Sequence, residues 1–184
     1  MEHPAHTPLL VLVGFMGAGK TTVGRLLAQQ LHCPFHDLDV EIERVHGAIP
    51  KLFETYGESG FRAIEHHAAD QLLPRLPRPA VLSLGGGAFL QPANRDLIRQ
   101  HGGVTIFLDA PWEVVFARVR HTGEHRPLAR DPAALRRLFD LRRPLYLEAD
   151  HTFSSAEHDP ANLLTSLVRL AEELGARGQH RATL

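Results

Sequence analysis

The chain has 184 residues and a formal net charge of -1, a size that fits one domain or one domain with a small lobe. With 43% hydrophobic and 22% charged residues, global disorder is excluded, and the near-zero charge argues against a protein that coats nucleic acid by neutralising phosphates. The single cysteine, Cys33, excludes an intrachain disulfide and a multi-cysteine zinc site.

Residues 1–7 contain no Lys or Arg, so the basic start of a secretory leader is missing. The apolar run Pro8–Met16 falls short of the ~20 residues a membrane helix needs, and a cytoplasmic protein with no membrane partner is expected. LLVLVG (9–14) reads as a buried strand and KTTVGRLLAQQL (20–31) as a helix with Val23, Leu26, Leu27 and Leu31 on its apolar stripe. PFHDLD (34–39) reads as a second strand and VEIERVHG (40–47) as a helix closed by Gly47. KLFETYG and SGFRAIEHHAADQLL are helical, with Ser59 as an N-cap, and PRLPRP (74–79) breaks the pattern.

AVLSL (80–84) is the third strand, ended by Gly85, Gly86 and Gly87, and PANRDLIRQHGG (92–103) has Pro at a helix start and Gly after its end. VTIFLD (104–109) is a strand, PWEVVFARVR (111–120) a helix and HTGEHRPLARDP (121–132) a loop. AALRRLFDLRRPLY (133–146) is helical up to Pro144, HTFSS (151–155) is a fifth strand, and PANLLTSLVRLAEELG (160–175) is a final helix before a frayed tail. Strands alternating with helices predict a three-layer α/β/α fold on a five-stranded parallel sheet. Sites in such folds lie at the C-terminal ends of the strands, here at GFMGAGKT, DLD, GGG and DAP.

Gly14–Thr21 matches G-x-x-x-x-G-K-[ST] between a buried strand and a helix, the context of a phosphate-binding loop. Gly17, Ala18, Gly19, Lys20, Thr21 and Thr22 are its candidate phosphate contacts. Lys20 can reach the β and γ phosphates and the Thr21 hydroxyl can coordinate Mg²⁺. Only two lysines occur, Lys20 and Lys51, against 18 arginines, so one of the two stands where phosphate needs a charge. Lys51 follows Pro50, which rules out the N-K-x-D guanine motif of GTPases. Asp109 is followed by Ala110-Pro111 with no glutamate to activate water, so a small kinase fits better than a motor ATPase. A helix N-cap is the preferred reading of Asp109.

Alternation along the second strand puts Asp37 and Asp39 on one face. One can position Mg²⁺ through water and the other can orient an acceptor hydroxyl and help take its proton, while a plain cap for the following helix is the competing reading of Asp39. Arg62 and Glu65 at i, i+3 read equally as a surface pair or as an arginine oriented toward a carboxylate ligand. Gly85-Gly86-Gly87 reads as backbone that must approach a ligand closely, or as a simple loop. Adjacent His66 and His67 read as solvated, and the 13 histidines offer no metal site.

GxxGxGKT, D-x-D, G-E-x-x-FR-x-x-E, L-x-L-GGG, R-P-L and R-x-P-L-Y, in this order from about Leu10 to Glu148, resemble the motif set of shikimate kinases. The resemblance implies a single P-loop kinase domain over 1–184 that phosphorylates the 3-hydroxyl of shikimate with ATP and Mg²⁺, in aromatic amino-acid biosynthesis. It implies a substrate lobe over about 39–65 and a lid over about 121–133. Lys20 and Thr21 would serve ATP and Mg²⁺, Asp37 would assist the metal, and Asp39 would bind the shikimate hydroxyls near the attacking oxygen. Arg62 and Arg142 would hold the carboxylate, Gly85, Gly86 and Gly87 would donate to the substrate, and Arg126 would be the lid arginine facing the phosphates. A monomer with small-molecule partners and no nucleic acid is expected.

Three departures stand out: Leu38 where Thr or Ser is frequent, Ala129 in RPLA, and a GAIPKLF segment about one residue short. Arg143 beside Arg142 leaves the choice between them to alignment. A kinase of gluconate or nucleotides, or a non-enzymatic sensor on the same fold, are the alternative classes.

Overall fold

A computed structural model describes residues 8–122, 131–155 and 160–182. Five strands form one sheet: β1 (Leu9–Val13), β2 (Phe35–Asp37), β3 (Ala80–Ser83), β4 (Gly103–Asp109) and β5 (His151–Ser154), in the order β2-β3-β1-β4-β5. Every pairing is parallel, with Leu10 opposite Val81 on one side and Val104 on the other. All five residues of β1 are at most 1% exposed, which explains why this strand reads as an unbroken apolar run rather than an alternating one.

The helices are α1 (Lys20–Gln30), α2 (Leu38–His46), α3 (Ile49–Leu72), α4 (Pro92–Gln100), α5 (Trp112–Thr122), α6 (Pro132–Tyr146) and α7 (Pro160–Ala182). α1 carries the chain from β1 out to the sheet edge at β2, whereas α4 carries it from β3 over β1 to β4. The chain therefore reverses direction around β1, and right-handed crossovers put helices on both faces. Such a reversal opens a crevice at the C-terminal strand ends. α1 packs on α7, and α3 packs on α2 and α4. No helix among the described residues is long and apolar enough to cross a membrane.

Several expected boundaries move, each for a local reason. The second strand ends at Asp37, because the Asp37 side chain accepts from the Asp39 N–H and starts α2 at Leu38. The cap is thus Asp37, not Asp39. Ser59 caps nothing: α3 runs through it, and the interruption falls at Gly57, whose φ of 66° and ψ of -177° kink the helix. α6 continues past Pro144 to Tyr146, since a proline one turn from a helix end removes a single backbone bond. α5 reaches Thr122, α7 reaches Ala182, and residues 123–130, with Arg126 and Ala129, lie outside the described residues.

Candidate functional site

The phosphate loop joins β1 to α1. Gly19 at the N-cap of α1 has φ of 98°, a left-handed conformation that glycine adopts without cost, and no side chain caps the helix. The first-turn N–H groups are therefore left to a ligand, and the helix dipole favours an anion there. Lys20 Nζ donates to the Gly14 carbonyl at 2.9 Å and to Phe15 at 3.1 Å, so the ammonium lies across the loop. Arg118 of α5 adds a second cation, donating to the Gly17 carbonyl at 3.1 Å.

The two acids of D-L-D diverge. Asp37 turns to the phosphate loop, where its Oδ2 accepts from the Thr21 hydroxyl at 2.9 Å. Asp39 is in the first turn of α2 and turns to the glycine loop, so that a Cβ at Gly85 would collide with its Oδ1 and stand 3.2 Å from Glu65 Oε1. Strand alternation does not relate them, because helix begins between them. Leu38 between the two is fully buried. The Thr or Ser frequent at that position is therefore replaced on the core side, away from the two carboxylates.

Arg62 is held on several sides. Its Nη1 donates to Glu65 Oε2 at 2.7 Å, and Nη2 reaches Glu58 at 3.4 Å. Its guanidinium carbon lies 5.4 Å from the Phe61 ring centroid and 5.9 Å from that of Phe53, within cation–π range. Glu65 is 1% exposed, which removes the surface-pair reading. Gln91 donates a second bond to Glu65 Oε2 at 2.9 Å. Burial pushes the Glu65 carboxyl above its ordinary range, with Asp39 adding repulsion and Arg62 and Gln91 opposing. The guanidinium rests against Gly87, where any Cβ would collide with it.

α6 brings the second arginine. Arg143 is bidentate to Asp109, with Nε at 3.0 Å and Nη2 at 2.6 Å, so the β4 acid holds an arginine. Arg142 lies near the phenol of Tyr146 and favours its ionisation, while the phenol donates to the Gly86 carbonyl. Gly86 itself stands beside the phosphate loop: a Cβ there would lie 3.6 Å from Met16 N.

The structure thus brings Lys20, Thr21 and Asp37 together at one end of the cleft, and Asp39, Arg62, Gly85–Gly87 and Arg142 around the other. Thr22 lies exposed in the first turn of α1, beside this phosphate cluster. His66 is not simply solvated. Its Nδ1 pairs with buried Asn94 Oδ1 at 2.6 Å, while Asn94 donates to the Ala88 carbonyl at 2.8 Å and pins the turn after the glycines. Sequence reasoning missed Gln91 and the phenol of Tyr146. No motif marks the glutamine, whereas the tyrosine was inside R-x-P-L-Y and only its role was unread.

A family model described as shikimate kinase matches residues 16–172. The chain belongs to the shikimate kinase family. It is 52% identical to the shikimate kinase of Ruegeria pomeroyi over 145 residues, covering 77% of this chain and 72% of that one. It is 44% identical to that of Cereibacter sphaeroides over 174 residues, covering 91% and 83%. Among solved structures, the shikimate kinase of Acinetobacter baumannii in complex with shikimate superposes with a TM-score of 0.82 at 39% identity, covering 92% of this chain and 95% of that one. Of the three departures from the shikimate kinase pattern, Leu38 is buried, the short GAIPKLF segment spans the start of α3, and Ala129 lies outside the described residues.

Proposed function

We propose that the chain transfers the γ-phosphoryl group of ATP to the 3-hydroxyl of shikimate, giving shikimate 3-phosphate and ADP. One observation carries this reading within the family: Arg62, fixed by buried Glu65, faces the same glycine loop as Asp39 and the Arg142–Tyr146 pair. Planar guanidinium groups suit a carboxylate, and a carboxylate beside them suits a hydroxyl. A polyhydroxylated carboxylic acid matches that combination.

The chain's own groups divide the work. The α1 N-terminus and Lys20 hold the phosphates, and Arg62 and Arg142 hold the acceptor carboxylate. Asp39 orients the attacking hydroxyl and accepts its proton late, because a loose phosphoryl transition state asks mainly for positioning and charge stabilisation. The Thr21 hydroxyl and the Asp37 carboxylate, 2.9 Å apart, are hard oxygen donors that suit Mg²⁺. When bound there, the metal would neutralise charge on the β and γ phosphates.

The domain is read as one unit with a substrate lobe over 39–65 and a lid over 121–133. Arg126 of that lid would neutralise the transferring group while closure excludes competing water. The segment 118–143 holds eight arginines against Glu124, Asp131 and Asp140, a local excess suited to covering a nucleotide. The enzyme is read as a monomer, and dependence on ATP fits the cytoplasm. The test is ADP release with Mg²⁺-ATP and shikimate, gluconate or a nucleoside monophosphate as sole acceptor. Release with shikimate alone is expected; release with another acceptor, or tight shikimate binding without release, overturns the reading.

A further inference from the structure

The two sources of acceptor contacts, the glycine loop after β3 and the last turn of α6, are 60 residues apart, and one side chain joins them. Tyr146 is 1% exposed, and its ring stacks on Phe107 of β4 with centroids 5.3 Å apart. A phenol offers one donor and two acceptor lone pairs. Here the donor goes to the Gly86 carbonyl, and the Arg142 guanidinium lies close enough to act on the phenol.

Both partners need such an anchor. Gly86 lacks a side chain with which to fix its peptide plane, and it stands against Met16 and Gly14 of the phosphate loop. Arg142 is a long, flexible side chain only half-buried, next to an Arg143 already committed to Asp109.

We propose that the Tyr146 hydroxyl is a positioning group of the acceptor site: it holds the Gly86 peptide in place beside the Arg142 guanidinium, so that loop N–H groups and arginine meet one carboxylate-bearing acceptor. This rests on the acceptor reading above and deepens it, assigning a role to a group that does not itself touch the acceptor. Burial pushes the phenol's pKa up to about 12, with Arg142 and Arg62 opposing and Glu65 adding to the rise. The hydroxyl therefore keeps its proton and remains a donor across the working range.

The competing role is packing, in which the ring matters and the oxygen does not. Tyr146→Phe separates them, because it keeps the ring on Phe107 and removes only the oxygen. The expected result is a shikimate KM raised about fivefold to twentyfold, the loss of one or two hydrogen bonds at a charged site, with ATP KM within about twofold of wild type and kcat within about threefold. A second comparison combines Tyr146→Phe with Arg142→Ala. If the phenol acts partly through Arg142, the double variant raises KM by less than the product of the single effects. An unchanged shikimate KM or an additive double variant would make the phenol a packing group, and a Tyr146→Phe chain that fails to fold would make its hydroxyl a folding group; each overturns the proposal. Wild-type protein that releases no ADP with shikimate overturns the acceptor reading and this inference with it; wild-type turnover alongside an unaltered Tyr146→Phe variant overturns this inference alone.

Discussion

The two halves of the cleft are built in opposite ways. The phosphate half is one contiguous turn whose working groups are mostly main-chain N–H, shaped by Gly19 at φ 98° and the start of α1. The acceptor half is assembled from β2–α2, α3, the loop after β3 and the end of α6, and the groups proposed to work there are three side chains, Asp39, Arg62 and Arg142, beside the N–H groups of the glycine loop. A main-chain site needs few particular residues, but those few are indispensable. A side-chain site needs supporting pairs, such as Glu65 under Arg62 and Tyr146 beside Arg142, and it also needs room.

That contrast makes graded predictions. Lys20→Ala removes the main cation from the phosphate half and should lower kcat by about 10³-fold, the scale of losing a key electrostatic group in a preorganised site. A steady-state assay that finds near-normal turnover breaks the phosphate assignment. Asp39→Asn keeps shape and hydrogen bonding but loses the basic oxygen, so kcat should fall by about 10²-fold, the lower end for positioned acid–base groups. If only shikimate KM changes, Asp39 merely orients.

The next effects belong to binding. Arg62→Ala should raise shikimate KM by about 10- to 100-fold, the equivalent of hydrogen bonds to a charged group, with ATP KM unchanged. A change confined to ATP would move Arg62 to the other half. Gly87→Ala tests the need for room, because its Cβ would collide with the Arg62 guanidinium. Overpacking costs about 1–3 kcal/mol, which should appear as a shikimate KM raised about tenfold in a folded protein, since the arginine can yield where a backbone could not. Wild-type KM in that variant would mean Arg62 works from another position.

The same contrast explains what was legible beforehand. The phosphate loop and the alternating strands and helices are local patterns, whereas the sheet order β2-β3-β1-β4-β5 joins strands far apart in the chain and was not legible. Asp37 and Asp39 were legible as a pair but not as diverging residues, because a helix cap at Asp37 overrides the strand period. Gly85–Gly87 announced a close approach. Space for two of the protein's own side chains, Asp39 and Arg62, is part of what they provide. Gln91 and the Tyr146 hydroxyl act through contacts 26 and 60 residues away, and no window along one chain contains such a pair. The choice of Arg142 over Arg143 became physical only once Asp109 was seen to hold Arg143.

The smallest expected effect concerns the support beneath Arg62. Burial raises the Glu65 carboxyl above its ordinary value of 4.5 despite the Arg62 pair. The folded chain then holds this proton more tightly than the unfolded chain does, so the stability this carboxyl contributes is greatest below 4.5 and falls as pH rises from there through the raised folded value. Glu65→Gln has no such proton. The unfolding free energy of wild type minus that of Glu65→Gln, followed by denaturant titration, should therefore decline across this window and level off above it. A difference that climbs instead would mean that the ion pair outweighs burial and that Glu65 is at home as a carboxylate. A decline would mean that the chain keeps a buried charge at some cost to stability because Arg62 needs a charged partner, as expected where an acceptor site leans on long side chains.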